Sequence, residues 1–176
     1  VGQLTKGLAG MAKQRKVRVV QGTAKFVSAN ELEISIEAGT GADGKPQLLR
    51  FAHCIIAAGS QPVKLPSFPW DDPRVMDSTD ALNLADVPSR LLVVGGGIIG
   101  LEMATVYRAL GSAVTVVEFM SQLMPGADLD LVKPLADRLK KKGVAIHLKT
   151  KVVEARAQKD GIACTFEGES VPDGKV

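Results

Sequence analysis

Little in this chain suggests a cross-linked, metal-built or membrane-spanning protein. It has two cysteines in 176 residues, Cys54 and Cys164, far apart and each in a strand-like stretch. That arrangement makes neither a disulfide framework nor a metal site; two buried free thiols in a reducing cytoplasm are expected. Aromatic residues are 4% of the chain. No basic stripe is interleaved with them, so no nucleic-acid partner is expected. The net charge of +3 is mild. The run Lys140-Lys141-Lys142 before Gly143 reads as the close of a helix, where cations meet the negative end of the dipole. No apolar run reaches the roughly 20 residues that cross a bilayer, so no membrane span is expected. The start, Val1-Gly2-Gln3-Leu4, is not a signal peptide and has no initiator Met, which reads as an excised piece.

What is present is the composition of a folded chain: 45% hydrophobic and 23% charged. Leu4, Leu8, Met11 and Ala12 stand at helical spacing and predict a helix over residues 3–15. Val17 to Val20 predicts a strand, continued by Gly22 to Phe26. Leu32, Ile34 and Ile36 share one face of a strand over 31–36. Residues 39–46 predict a turn, and Leu48 to Phe51 the return strand. His53-Cys54-Ile55-Ile56-Ala57 is nearly all apolar and predicts a strand buried on both faces. Residues 17–57 therefore read as an antiparallel meander feeding one buried strand. Pro62, Pro66, Pro69 and Pro73 exclude a helix over 60–76, the expected domain boundary. Thr79 to Leu84 reads as a short helix capped by Ser78 or Thr79.

The second half follows a regular order. Leu91 to Val94 is a buried strand of parallel type. Ile98 to Leu110 is a helix stopped by Gly111, and Ala113 to Val117 a strand ending at Glu118. Leu129 to Lys142 is a helix with Leu131, Leu135 and Leu139 in a stripe; Pro134 suits only a first turn, so its regular part is expected to start there. Val144 to Leu148 is the third strand. Residues 152–157 and 162–166 read as a hairpin around Asp160-Gly161. Strand, helix, strand, helix, strand over 91–148 is half of a doubly wound sheet.

Gly95-Gly96-Gly97-Ile98-Ile99-Gly100 joins the first of these strands to its helix. Gly95 permits the tight turn. Gly97 lets a pyrophosphate approach the backbone, and Gly100 lets the helix pack close to the sheet. The N–H groups of Ile98 and Ile99, with the helix dipole, suit an anion. Glu118 lies about 20 residues on, where the dinucleotide fingerprint expects an acceptor for ribose hydroxyls. Its charge repels a 2′-phosphate, and Phe119 to Met124 contains no basic residue, so NAD is expected over NADP. Glu102 is expected in the first turn of that helix; spacing leaves both a ligand contact and simple dipole compensation open.

Longer segments carry a family resemblance. Asp77 to Leu82, Val87 to Val94, Gly95 to Glu102, Leu123 to Asp128 and Thr150-Lys151-Val152 closely resemble the dihydrolipoamide dehydrogenases among the flavin- and NAD-dependent disulfide oxidoreductases. The resemblance covers nearly the whole chain. It implies an α/β fold: a three-layer, Rossmann-like, doubly wound NAD-binding domain with a β-meander over 77–176, incomplete at its C-terminus. Residues 1–76 would be the C-terminal part of an FAD-binding domain. It implies NAD contacts at Gly95 to Gly100, Leu101, Glu102, Glu118 and Val152, with Glu102 near nicotinamide and flavin. It implies FAD contacts at Ala24 and at Ala58, Gly59 and Ser60 in the stretch Ile55 to Pro62, with Ala58 where the family usually has Thr. The implied partners are a lipoyl domain of a 2-oxo acid dehydrogenase complex and a second copy in a homodimer, in the cytoplasm.

The family's chemistry runs from dihydrolipoamide through a redox disulfide and FAD to NAD. Its C-x-x-x-x-C pair, its N-terminal FAD glycine loop and its interface domain with the acid/base His are absent from these 176 residues. Cys54 and Cys164 cannot stand in for the pair. His53 and His147 lie on predicted strands without the neighbouring Pro or acid, and read as structural. The expectation is an internal piece with no catalytic residue of its own. The alternatives are a piece of another flavin disulfide reductase and a non-catalytic NAD-binding module.

Overall fold

The computed structural model describes residues 2–35 and 46–172. The chain divides into two compact units, Val1–Gly59 and Ser60–Val176.

The first unit holds helix α1 (Gly2–Gln14) and three strands, β1 (Thr23–Ser28), β2 (Glu31–Ser35) and β3 (Gln47–Arg50). They form an antiparallel sheet in the order β1-β2-β3, with Ala24 opposite Ile34 and Leu32 opposite Leu49. Phe26 meets Phe51 edge to face at 6.2 Å. The meander is thus as expected, except that its predicted turn falls largely in residues 36–45, outside the described residues. Two strands are not formed. Residues 17–20 and 53–57 are irregular, and Ile55 is 94% exposed. An apolar run becomes a buried strand only when strands pair with it on either side; no described strand does so here. Cys54 is accordingly exposed rather than buried, and His53 is exposed and on no strand.

The second unit contains α2 (Ser78–Asn83), β4 (Arg90–Val94), α3 (Ile98–Leu110), β5 (Ala113–Val117), α4 (Leu129–Lys141), β6 (Ala145–His147), β7 (Thr150–Gln158) and β8 (Gly161–Gly168). β4, β5 and β6 pair in parallel in that order, with Val93 opposite Val116 and Val117 opposite His147. β7 and β8 form the hairpin. Leu101, Ala104 and Tyr107 of α3 bury one helical face against Val93, Val114 and Val116, with Val132 and Leu139 of α4 in the same core. Each fully buried large apolar side chain contributes about 1.5–3 kcal/mol.

Helix ends follow local chemistry, with two corrections. α2 is capped by Asp77, not by Ser78 or Thr79. The Asp77 carboxylate accepts the N–H groups of Thr79 at 2.8 Å and Asp80 at 3.1 Å, and Asp80 accepts the Asp77 N–H in return. That reciprocal box satisfies donors that a Ser at the next position would not reach. α4 begins at Leu129, so Pro134 lies inside it rather than in its first turn. The ring removes one helical donor, and the burial of Val132 and Leu139 to either side holds the helix across the gap. Arg138, Lys140 and Lys141 occupy its last turn, as the sequence suggests.

The Pro-rich segment carries no helix, but it belongs to the second compact unit rather than ending the first. The Ala155 N–H of β7 donates to the Ser67 carbonyl at 3.1 Å. Arg74 pairs with Asp72 and donates to the Gln158 carbonyl at 2.8 Å. These bonds hold residues 67–74 against the hairpin, within the compact unit that starts at Ser60. Among the described residues, no helix is long and apolar enough to cross a membrane.

Candidate functional site

The glycine loop leaves β4 at Val94 and enters α3 at Ile98. Gly95 makes the turn with φ +111°, a region L side chains rarely adopt, and donates its N–H to the Val117 carbonyl at 2.8 Å. Gly97 is the N-cap of α3, in extended conformation and with no side-chain cap. The first N–H groups of α3, at Ile98, Ile99 and Gly100, therefore point from a helix start that no side chain closes. No heavy atom lies within 4 Å of where a Gly97 Cβ would stand. An uncapped helix N-terminus behind open space is an anion cradle. Gly100 has the opposite surroundings: a Cβ there would overlap the Gly95 carbonyl oxygen and lie 3.2 Å from Val93 Cγ1. This is the close helix–strand approach that the spacing predicts.

Other residues of the predicted NAD set stand differently. Leu101 is 4% exposed, its side chain in the core and its N–H on the Gly97 carbonyl at 3.0 Å; it anchors the helix rather than facing the cradle. Glu102 is exposed and is the fifth residue of α3, in its second turn rather than its first. Val152 is half-buried in β7, opposite Phe166.

Glu118 follows β5 and is 7% exposed. One carboxylate oxygen accepts the Gly96 N–H at 2.6 Å, and the other accepts the Met120 N–H at 2.7 Å. Its backbone is fixed as well, the N–H donating to the His147 carbonyl at 2.8 Å and the carbonyl accepting the Thr150 N–H at 2.9 Å. A carboxylate offers about four lone-pair sites, so the two bonds leave acceptor capacity for ribose hydroxyls.

Gly96 is the residue that sequence reasoning undervalues. A Cβ at this position would lie 2.5 Å from Leu123 Cδ2 and 3.1 Å from Glu118 Cβ. Its carbonyl accepts the Met124 N–H at 2.8 Å. The middle glycine of the run Gly95-Gly96-Gly97 is the available signal, since the fingerprint itself needs none there.

The predicted flavin set is less organised. Ala24 lies in β1, while Ala58, Gly59 and Ser60 lie in exposed irregular chain, Gly59 with φ +72°. His53 is exposed in irregular chain, and His147 Nδ1 lies 2.7 Å from the Ser170 carbonyl oxygen. Both cysteines are free, and burial pushes the Cys164 thiol above its ordinary value, away from the reactive thiolate. No group of metal-ligating side chains occurs among the described residues.

Comparison with known proteins agrees with this geometry. The sequence profile of the pyridine nucleotide-disulphide oxidoreductases matches residues 1–174. A dihydrolipoyl dehydrogenase of Vibrio cholerae is 52% identical over 172 residues, which is 98% of this chain and 35% of that protein. One from Haemophilus influenzae is 50% identical, across 99% of this chain and 35% of its own length. The chain thus spans about a third of these relatives. Among solved structures, the HOCl-induced flavoprotein disulfide reductase RclA from Escherichia coli superposes with a TM-score of 0.76 at 28% identity, over 95% of this chain and 37% of that one. With the glycine loop, the uncapped helix and the match over almost its full length, this chain belongs to the pyridine nucleotide-disulphide oxidoreductases.

Proposed function

We propose that this chain supplies the NAD site, and part of the FAD site, of a dihydrolipoyl dehydrogenase. That enzyme reoxidises protein-bound dihydrolipoamide through a redox disulfide and FAD, and reduces NAD to NADH. Residues 77–176 would bind NAD and residues 1–76 would contribute to the flavin domain. The observation that carries the reading is the uncapped N-terminus of α3 beside the buried Glu118 carboxylate.

The residues fit a dinucleotide. The N–H groups of Ile98, Ile99 and Gly100 would bind the pyrophosphate, with Gly97 leaving it room. Glu118 would accept the ribose hydroxyls with the lone pairs that Gly96 and Met120 leave free, and would repel a 2′-phosphate. Glu102 would stand towards the nicotinamide and flavin, Val152 would contact NAD from β7, and Leu101 would hold the helix beneath. NAD held there would supply the hydride-accepting chemistry of the reaction. Ala24 and Ala58 to Ser60 offer the flavin mainly backbone groups and do not make a site on their own, so no step is assigned to them. The disulfide and the acid/base His would come from parts of the protein outside this chain. The partners would be a lipoyl domain and a second subunit, in the cytoplasm.

Lipoamide-dependent NADH turnover by the full-length protein tests the reading. Turnover with lipoamide is expected; turnover of another disulfide alone would reassign the protein to a different flavin disulfide reductase. Expressed as these 176 residues, the chain is expected to bind NADH weakly and to purify colourless. Stoichiometric flavin absorbance in that preparation would contradict the partial FAD site.

A further inference from the structure

We propose that Leu123 is a positioning residue for cofactor choice: by filling the space over Gly96 it holds the Glu118 carboxylate in the one place that favours NAD over its 2′-phosphorylated form. The proposal rests on the NAD reading above and extends it to a residue that does not reach the cofactor.

Gly96 is pinned from both sides by the loop after β5. Its N–H donates to Glu118 at 2.6 Å and its carbonyl accepts the Met124 N–H at 2.8 Å. Leu123, between those two partners, is 1% exposed and occupies the position where a Gly96 side chain would be. The loop is also braced within itself. Gln122 Nε2 donates to the Ala127 carbonyl at 3.0 Å, the Ala127 N–H donates to the Met124 carbonyl at 3.0 Å, and Met124 holds φ +51°. The glycine loop and the Glu118 loop are therefore joined at Gly96, and Leu123 is the apolar part of the joint.

Selectivity between two cofactors is a difference of affinities, and a repulsive element adds to it only if it stays in place. A carboxylate fastened to Gly96 and Met120 cannot turn away from a 2′-phosphate. A shorter side chain at 123 leaves a void beside Gly96 and loosens the joint, so the carboxylate both binds ribose less well and repels phosphate less well.

The test uses the full-length protein with Leu123→Val and Leu123→Ala, assayed with NAD and NADP, and Leu123→Met as the volume-conserving control. For the alanine variant the KM for NAD is expected to rise about tenfold with kcat within about twofold, and the NAD preference to fall about tenfold. The valine variant is expected to show a smaller shift of the same sign, and carries the test alone where the alanine variant does not fold. Methionine is expected to restore the preference. A merely structural role would lower Tm and the active fraction while leaving both KM values and their ratio unmoved; that result overturns the proposal. A protein that binds no NADH in a fluorescence titration overturns the NAD reading and this inference together. Normal NADH binding with an unmoved preference overturns the inference alone.

Discussion

Gly100 of α3 faces the carbonyl oxygen of Gly95 so closely that a methyl group at Gly100 would overlap it. Gly97, three residues earlier, has no neighbour within 4 Å of its missing Cβ and an ordinary negative φ. The two substitutions should therefore separate folding from binding. Gly100→Ala must push α3 off β4, and is expected to lower both Tm and NADH affinity. Gly97→Ala is expected to lower Tm only slightly, since alanine is a poorer N-cap than glycine, while NADH affinity falls at least about tenfold, because the new methyl stands where the pyrophosphate would lie. Thermal melts and NADH fluorescence titrations of both variants check this.

Tyr107 is fully buried and donates its hydroxyl to the Ala81 carbonyl at 2.9 Å, tying α3 to α2. Tyr107→Phe keeps the ring and loses the bond, so a loss of about 1 kcal/mol is expected. Tyr107→Ala also empties the core, and about 3–5 kcal/mol is expected. Urea unfolding of the two variants measures the difference. Equal losses would mean that the hydrogen bond, and not the ring, holds the helices together.

What is legible in the sequence and what is not divides along physical lines. The half from β4 to β6 is legible because its signals are local: apolar strands, Gly111 stopping α3, and glycines at fixed offsets from Glu118. The stretch Cys54 to Ala57 misleads because composition records burial in a complete sheet, whereas a strand exists only where partners pair with it. The capping of α2 by Asp77 turns on which of three adjacent acceptors reaches two N–H groups, a matter of ångströms that residue type does not decide. The Gly96–Leu123 contact joins two loops across β5 and has no periodicity to betray it. The hold of the Pro-rich segment on β7, through Ser67 and Arg74, is hidden for the same reason.

Asp72 carries the acid sensitivity of that hold. Its side chain takes two hydrogen bonds from the Arg74 guanidinium, which bring its carboxyl down to about 2. A carboxyl lowered in the folded state stabilises fully above its ordinary value of 3.8, and loses that contribution as pH falls towards about 2. The Ala155 N–H bonded to Ser67 is thus expected to keep its hydrogen-exchange protection down to pH 4 and to lose part of it between pH 4 and pH 2. Asp72→Asn should remove the pH dependence in that window. Because the Arg74 side chain is exposed and Asp72 only half-buried, the effect should also shrink in high salt. Protection that is flat across the window in the unsubstituted protein would show that Asp72 does not govern the strap.

Glu118→Gln tests the carboxylate with little change of shape. A glutamine side chain has one acceptor oxygen and one NH2 donor, while the site presents two N–H donors, Gly96 at 2.6 Å and Met120 at 2.7 Å. One of them must then face another donor, and the charge is gone. Hydrogen bonds to a charged group are worth about 1.5–3 kcal/mol each, so NADH affinity is expected to fall by about tenfold to a hundredfold. The change for NADPH should run the other way relative to NADH, because the loss of charge removes the repulsion from a 2′-phosphate. Dissociation constants for both cofactors, measured by fluorescence on one preparation, decide the matter. Equal weakening of the two would mean that Glu118 serves only to hold the glycine loop together. Selective weakening of NADH would mean that the same carboxylate both builds the loop and reads the ribose.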